Sequence, residues 1–159
     1  MKFKITDIAI KNKNLNQYFL KNKIFKRTSE IRERNKKKNP FFDTKPFGPE
    51  LLDLHRLHQI ILKYKRTTVL EFGVGWSTKV MANALLINEK KYSNRIKDLR
   101  FNNPFQIHSV DNFKKYISLT KKKLSINEKK NTFIKFSKVK MCRFNGRITT
   151  EYEQIPRIN

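Results

Sequence analysis

The residues best suited to chemistry lie in the run from Val69 to Thr78. A β-branched, apolar stretch ends there at Gly73 and Gly75, and a helical pattern begins near Ser77. Glycines at such a turn permit positive φ and let a ligand approach the backbone without a Cβ in the way. The first N–H groups of the following helix favour negative charge. The segment therefore predicts a ligand-binding turn at the carboxyl end of a strand, with an ordinary βα turn as the alternative.

Known motifs fit this turn only in part. The dinucleotide pattern G-x-G-x-x-G fails at its third glycine, where Thr78 stands, and the phosphate loop G-x-x-x-x-G-K-[ST] does not occur in the sequence. The nucleophile elbow G-x-S-x-G matches at Gly75 and Ser77, but Lys79 replaces its last glycine. The histidine that follows Ser77 is His108, which lies in a predicted strand. A hydrolase is therefore disfavoured.

The turn and the segments after it resemble the first two motifs of class I S-adenosylmethionine-dependent methyltransferases. The matching segments, between Val69 and Leu124, are VLEFGVGWST, the strand-like IHSVDN and the helix-like FKKYISLTKKKL. In that family an acidic residue lies two positions before the first glycine, as Glu71 does, and a second ends the next strand, as Asp111 does. The resemblance implies a Rossmann-like fold with S-adenosylmethionine as its cofactor.

The resemblance also implies a role for each residue. This cofactor has no phosphate, so the helix end would meet its methionine carboxylate, and Glu71 would lie near its sulfonium and ammonium charges. Asp111 would accept from the ribose hydroxyls, with Asn112 near the adenosine, while Trp76 would either stack on the ligand or cover the turn. The expected cofactor-binding residues are Glu71, Gly73, Gly75, Trp76, Ser77, Thr78, Asp111 and Asn112. No metal site is expected, and no catalytic residue is assigned.

The spacing of the two motifs departs from the family pattern. From Gly75 to Asp111 is 111 − 75 = 36 residues, whereas the comparable acidic residue lies about 20 residues beyond the turn. The polar segment from Asn88 to Pro104 shows no sustained period, and as an inserted loop it would account for the excess. The alternative role for Asp111 is to cap a helix from Phe113 onward.

The histidines and the cysteine are weaker candidates. His55 and His58 lie three apart on a predicted helix, but no acidic or cysteine partner for a metal is evident, which favours a structural or surface role. His108 alternates with apolar residues and is expected to pack. Cys142 has no second cysteine for an intramolecular disulfide, and its alternating apolar surroundings predict a buried small hydrophobe.

Hydrophobic periodicity predicts the elements that hold these residues. Helices are expected at 51–62, 77–87 and 113–124, and strands at 67–72, 106–110 and 138–144, with a possible further strand at 147–152. Strands that alternate with helices imply an α/β fold, here a Rossmann-like, doubly wound and mainly parallel sheet. The resembled fold has more strands than this sequence provides, so we expect an N-terminal fragment, truncated after the third strand.

Length and charge bound the domain organisation. The 159 residues carry 37 Lys and Arg against 13 Asp and Glu, a net charge of +24. We expect a basic arm at 1–40 with a short helix from Ser29 to Arg34, a linker at 41–48, and the cofactor-binding domain at 49–159. The arm contributes 13 − 3 = +10, so the charge is spread along the chain, which weakens the case for a dedicated nucleic-acid-binding arm.

The sequence therefore predicts the cofactor-binding half of an S-adenosylmethionine-dependent methyltransferase, with an unidentified methyl acceptor and no activity of the 159-residue chain alone. The alternative is a basic nucleic-acid-binding protein whose Rossmann-like core is non-catalytic. Non-specific, salt-sensitive association with nucleic acid is expected. No apolar run has the length of a signal-peptide core or a spanning helix, so we expect a cytoplasmic protein without membrane association.

Overall fold

The computed structural model describes residues 15–25, 49–96 and 104–158. The elements of these stretches are α1 (Leu15–Lys21), α2 (Leu51–Lys63), β1 (Thr68–Phe72), α3 (Trp76–Tyr92), a 3-10 helix (Ser93–Arg95), β2 (Gln106–Asp111), α4 (Lys114–Lys123), α5 (Ile126–Lys130), β3 (Thr132–Phe136), β4 (Val139–Phe144) and β5 (Arg147–Tyr152). Within these stretches, no helix has both the length and the apolar character needed to cross a membrane. The chain is mixed α/β, as predicted.

A three-stranded parallel sheet with the order β1-β2-β3 forms the centre of the fold. Helix α3 connects β1 to β2, and α4 with α5 connects β2 to β3, which makes two βαβ units. Because the strands are parallel, the turn after β1 and the end of β2 at Asp111 lie at the same edge of the sheet. The predicted α/β class and its parallel pairing are confirmed.

The third strand of this sheet is β3, and not the predicted strand at 138–144. That segment is β4, which pairs with β5 in a separate antiparallel hairpin. The hairpin turn is Asn145-Gly146, where φ is 48° at the asparagine and 76° at the glycine. Positive φ at both positions is what a two-residue hairpin turn needs, so this Asn-Gly pair is the sequence signal for antiparallel pairing.

Helix α3 is longer than predicted and continues through Asn88, where the sequence predicted an irregular loop. The side chain of Asn88 is buried, and its amide donates to the carbonyls of Ile61 and Arg66 at 3.0 and 2.9 Å. A polar residue here anchors the helix to α2 and the segment after it. The first part of the expected insertion is therefore helical.

The predicted helix at 113–124 ends earlier, and a second helix, α5, follows it. The side chain of Ser125 accepts from the Glu128 amide at 3.3 Å, and the Glu128 carboxylate accepts from the Ser125 amide at 2.6 Å. This reciprocal capping box begins a new helix. The S-x-x-E spacing at these two residues is the sequence signal for that second start.

Two apolar clusters hold the elements together. One lies between the helices and the sheet and comprises Ile61, Met81, Ala82, Ala84, Leu85, Ile107 and Leu124. The other joins α1 to α2 and α3 and comprises Leu15, Phe19, Ile24, Phe25, Leu54 and Val80. Residues 15–25 thus belong to a core, and for these residues the prediction of a peripheral arm at 1–40 was wrong. The helix predicted from Ser29 to Arg34 and the linker at 41–48 lie outside the described residues.

The two histidines of α2 are buried beside α1. The hydroxyl of Tyr18 donates to Nδ1 of His58 at 2.5 Å, and Nε2 of His58 donates to Oδ1 of Asn83 at 3.1 Å. His55 is 1% exposed and meets the ring of Tyr18 edge-on, with centroids 4.6 Å apart. Among the described residues, no group of three or more metal-ligating side chains is present. The burial of both rings and their contacts with Tyr18 fit the structural role predicted for the pair.

One face of the parallel sheet is largely uncovered. Leu70, His108 and Phe133 lie side by side on it, with Leu70 39% and Phe133 47% exposed and the His108 and Phe133 rings stacked at 5.3 Å. The packing role predicted for His108 agrees with this contact. Parallel sheets are normally covered on both faces. In the described residues the helices contact the opposite face, so the doubly wound arrangement is not complete there.

We expect acid to destabilise the protein through His58. The pKa of His58 is lowered to about 4, chiefly by burial and also by the neighbouring His55. The hydrogen bond to Asn83 opposes these effects and raises the pKa. The folded state then binds fewer protons than the unfolded state, whose histidine titrates near 6.5. The contribution of His58 to the free energy of unfolding is therefore fully present above about pH 6.5. It falls by roughly 3 kcal/mol as the pH drops to about 4. Urea denaturation over this pH range measures the effect.

Two substitutions test the assignment to His58. His58→Gln keeps hydrogen-bonding capacity but cannot titrate, so the loss of stability with acid becomes clearly smaller. His108→Gln removes a histidine from the open face of the sheet, and this variant should still lose most of the stability that the parent chain loses in acid. An unchanged pH dependence in His58→Gln contradicts the assignment.

The open sheet face predicts self-association at high protein concentration, because exposed apolar patches promote it. We expect the double variant Leu70→Lys/Phe133→Lys to scatter less light than the parent chain at equal concentration. Ile126→Lys/Met141→Lys adds the same charge at two exposed apolar positions elsewhere, 77% and 73% exposed, and controls for net charge. An equal decrease in light scattering in both variants would show that added charge alone reduces self-association.

Candidate functional site

The glycine turn lies at the carboxyl edge of the sheet and is open on one side. Gly73 has φ of 84°, and its amide donates to the carbonyl of Val110 at 2.8 Å. Gly75 is extended at φ 177° and is the N-cap of α3, where it has no side chain to accept from the first helical amides. A Cβ built at either glycine would meet no protein atom within 4 Å. A ligand could therefore approach the backbone here.

The carboxylate of Glu71 joins three elements at the base of this turn. Its Oε1 accepts from the hydroxyl of Ser77 at 2.6 Å, and its Oε2 accepts from those of Thr78 at 2.8 Å and Ser109 at 2.7 Å. Ser77 and Thr78 lie in the first turn of α3, and Ser109 lies opposite Glu71 on β2. The carboxylate thus fixes the helix start against both strands.

Burial raises the pKa of Glu71, a residue that is only 8% exposed. The hydrogen bonds from Ser77, Ser109 and Thr78 oppose that shift, while the negative charge of Asp111 adds to it. An ionised carboxylate in this position therefore depends on its hydroxyl donors. A cation brought next to it would stabilise the ionised form further.

Asp111 binds the turn through its side chain. Its Oδ2 accepts from the amide of Val74 at 2.8 Å, and its Oδ1 accepts from the amide of Phe113 at 2.6 Å. The N-cap of α4 is Phe113 itself, so Asp111 makes an Asx-type contact two residues ahead and is not the helix cap that the alternative interpretation expected. The sequence did not predict the bond to Val74. It connects the end of β2 directly to the glycine turn.

Trp76 and Asn112 differ in their surroundings. The ring of Trp76 lies 4.9 Å from that of Phe25, and Nζ of Lys123 lies 4.4 Å from its centroid. These contacts fit the interpretation in which Trp76 covers the turn. Asn112 is exposed after β2. Of the predicted site residues, the structure therefore gathers Glu71, Gly73, Gly75, Ser77, Thr78 and Asp111 around one turn.

The β4–β5 hairpin lies beside the same edge. Tyr152 stacks on Phe72 at 5.9 Å, and the amide of Ser137 donates to the carbonyl of Asp111 at 3.0 Å. Burial raises the pKa of Tyr152, and the charge of Asp111 adds to this. Tyr152 was not predicted as a site residue, because its position depends on how the chain turns after β3. Cys142, on β4, is half-buried and not the buried hydrophobe that was predicted.

A buried ion pair supports α3 from the side. Nζ of Lys79 donates to the carbonyl of Lys123 at 2.6 Å and lies 3.4 Å from Oε2 of Glu128. Both side chains are almost fully buried, with 7% and 3% exposed. The position where the nucleophile-elbow motif requires glycine is thus occupied by a structural lysine.

No family model matches this chain. Likewise, neither a curated protein nor a solved structure matches it. The interpretation of the turn therefore depends on its own residues and their geometry.

We expect Ser109→Ala to destabilise the protein by about 1–3 kcal/mol, because it removes one hydroxyl donor from a buried carboxylate. Ser109 is fully buried, so water cannot replace the lost donor without rearrangement. Ser118→Ala, at an exposed position on α4, is the matched control and changes stability little. Urea denaturation of the two variants measures the difference, and equal stabilities would contradict the role given to Glu71.

Proposed function

We propose that this chain carries the S-adenosylmethionine-binding part of a class I methyltransferase, on a Rossmann-like sheet that is doubly wound in the complete fold. The observation that carries the proposal is the hydrogen bond between Asp111 and Val74. It places the acidic end of β2 against the glycine turn after β1. The two motifs that carry the resemblance thereby belong to one site.

The remaining acceptor capacity of Asp111 supports contact with a ribose. An ionised carboxylate offers about four acceptor positions, two on each oxygen. Each oxygen of Asp111 accepts one backbone N–H, so one position remains on each. Two adjacent hydroxyls of a ribose match that arrangement. Asp111 is 5% exposed, so a ribose would reach its carboxylate only through that small accessible part.

The number of free acceptor positions on Glu71 supports contact with a single positive group. Three hydroxyls occupy three of its acceptor positions, which leaves one on Oε1. The ammonium of the cofactor's methionine part would use it. The first amides of α3, which receive no side-chain cap from Gly75, would meet the carboxylate of the same group.

The bound cofactor would supply an electrophilic methyl group on its sulfonium. The residues of this chain would hold the nucleoside and the amino-acid part of the cofactor. The methyl acceptor and the residues that bind it are not assigned.

Gly75→Val is the sharpest test of the proposal. At φ 177° the residue can carry a side chain without strain, and a Cβ there meets no protein atom within 4 Å. Gly73, with φ of 84°, would be strained by any side chain and is the poorer choice. We expect the affinity for S-adenosylmethionine and S-adenosylhomocysteine to fall at least about tenfold, a difference of about 1.4 kcal/mol, with an unchanged unfolding temperature.

Titration calorimetry of the parent chain, Gly75→Ala and Gly75→Val measures the affinities. A graded loss with side-chain size supports the turn as the binding site. Unchanged affinity in a folded Gly75→Val refutes that site. If the parent chain binds neither ligand but binds oligonucleotides with steep salt dependence, the alternative of a non-catalytic nucleic-acid-binding core is favoured.

A further inference from the structure

A shallow groove between α4 and α5 is lined mainly by lysines. Its lining residues are Lys114, Ile117, Ser118, Lys121, Lys122 and Lys129, and it encloses about 320 Å³. The five residues from α4 recur at the spacing of one helical face. Ile117 is buried at 8% exposure, so the groove has an apolar floor and cationic walls.

Among the residues that the structure describes, no acidic side chain forms an ion pair with a groove lysine. Between residues of the described part of the chain, the ion pairs are those of Asp53, Glu128 and Glu151. Glu128 precedes Lys129 in the sequence, but its carboxylate is buried and turned towards Lys79 and the amide of Ser125. Four ammonium groups in one depression create a local positive potential that attracts anions.

Exposed aromatic rings lie near one end of the groove. Phe136 is 39% exposed, and Nζ of Lys114 lies 5.1 Å from its centroid. Phe113, next to Lys114, is 43% exposed and meets Tyr116 edge-on at 4.7 Å. The lysines are dispersed along the sequence, but here the fold brings several of them together with aromatic side chains from two elements.

We infer that this groove binds the phosphodiester backbone of a single-stranded nucleic acid, with bases stacking on the rings near Lys114. Proteins that bind single strands combine a cationic groove with aromatic platforms. Along α4, Lys114 and Lys121 are about 10 Å apart, the rise of about three nucleotides stacked at 3.4 Å each. The groove is independent of the cofactor site, since none of its residues takes part in that site.

A second cationic surface provides the comparison. Near the ends of α2 and α3, Nζ of Lys63 lies 5.8 Å from the Tyr64 centroid, and Nζ of Lys91 lies 5.4 Å from the Tyr92 centroid. Each of these lysines lies over an aromatic ring, as Lys114 does over Phe136. The surface therefore offers a control with similar charge and composition.

The test compares two variants that each lose four positive charges. In the groove variant Lys114, Lys121, Lys122 and Lys129 become Gln. In the control variant Lys63, Arg66, Lys90 and Lys91 become Gln. All eight side chains are exposed, and each variant has a formal net charge of 24 − 4 = +20. Fluorescence anisotropy with labelled oligo-dT and oligo-U measures binding between about 50 and 200 mM salt.

We expect the groove variant to bind both oligonucleotides at least about tenfold more weakly at low salt, with a salt slope reduced by up to about 3 for the four lost contacts. The control variant should change by much less. Binding of oligo-U but not oligo-dT would assign the site to RNA, and the reverse result would assign it to single-stranded DNA. Equal losses in the two variants would refute the inference and attribute binding to diffuse charge.

Two further measurements test a membrane surface as the partner and a folding defect as the cause of lost binding. Sedimentation with phosphatidylserine-containing vesicles tests the membrane, and loss of vesicle binding in the groove variant with unchanged oligonucleotide binding overturns the inference.

Acetylation of the parent chain with and without oligo-dT or oligo-U, measured by mass spectrometry, does not depend on the folding of a variant. Protection of Lys121 and Lys122 but not of Lys90 and Lys91 supports the groove, and uniform protection contradicts it.

Discussion

The buried carboxylate of Glu71 is the interaction on which the site depends. It accepts from hydroxyls of β2 and of the first turn of α3, so two strands and a helix are fixed at one point. Burial disfavours its charge and raises its pKa, and a buried carboxylate that loses its donors is strongly destabilising. The hydroxyls of Ser77, Thr78 and Ser109 are therefore structural requirements of the turn before any ligand is considered.

Asp111 provides a hydrogen-bond acceptor for the backbone of the same turn. Gly75 gives α3 an N-cap without a side chain, and the preceding amide of Val74 needs an acceptor, which the carboxylate of Asp111 provides. The groups that build the turn are thus the groups proposed to contact the cofactor. A ligand would use the acceptor positions that remain on these carboxylates. One acidic residue near the end of each strand would then serve both the fold and the proposed cofactor site.

The sequence predicted β1 and β2 because each is a short apolar or alternating run that ends at a glycine or an acidic residue. It predicted α3 because apolar residues recur at helical spacing after the glycine turn. After α4 the strands at 138–144 and 147–152 were predicted correctly, but α5 and β3 were missed, because short amphipathic segments such as TFIKF are ambiguous. The antiparallel pairing of β4 with β5 was also missed, because the hairpin at Asn145-Gly146 interrupts the alternation of strands and helices. Ser109 could not be recognised from its own segment, since only the register opposite Glu71 gives it a role. The buried Asn88 and Lys79 were missed for the same reason, because their partners lie far away in the sequence.

The burial of several acidic side chains affects how the net positive charge is distributed over the surface. Glu71, Asp111 and Glu128 are buried at 8%, 5% and 3% exposure and serve internal donors, so they neutralise little of the surface. A lysine-rich composition alone would distribute cations over every exposed face. On α4, however, Lys114, Lys121 and Lys122 fall on one helical face around the buried Ile117, and Lys129 of α5 faces the same groove. The proposal of a binding surface therefore rests on this arrangement of lysines more than on the total charge of +24.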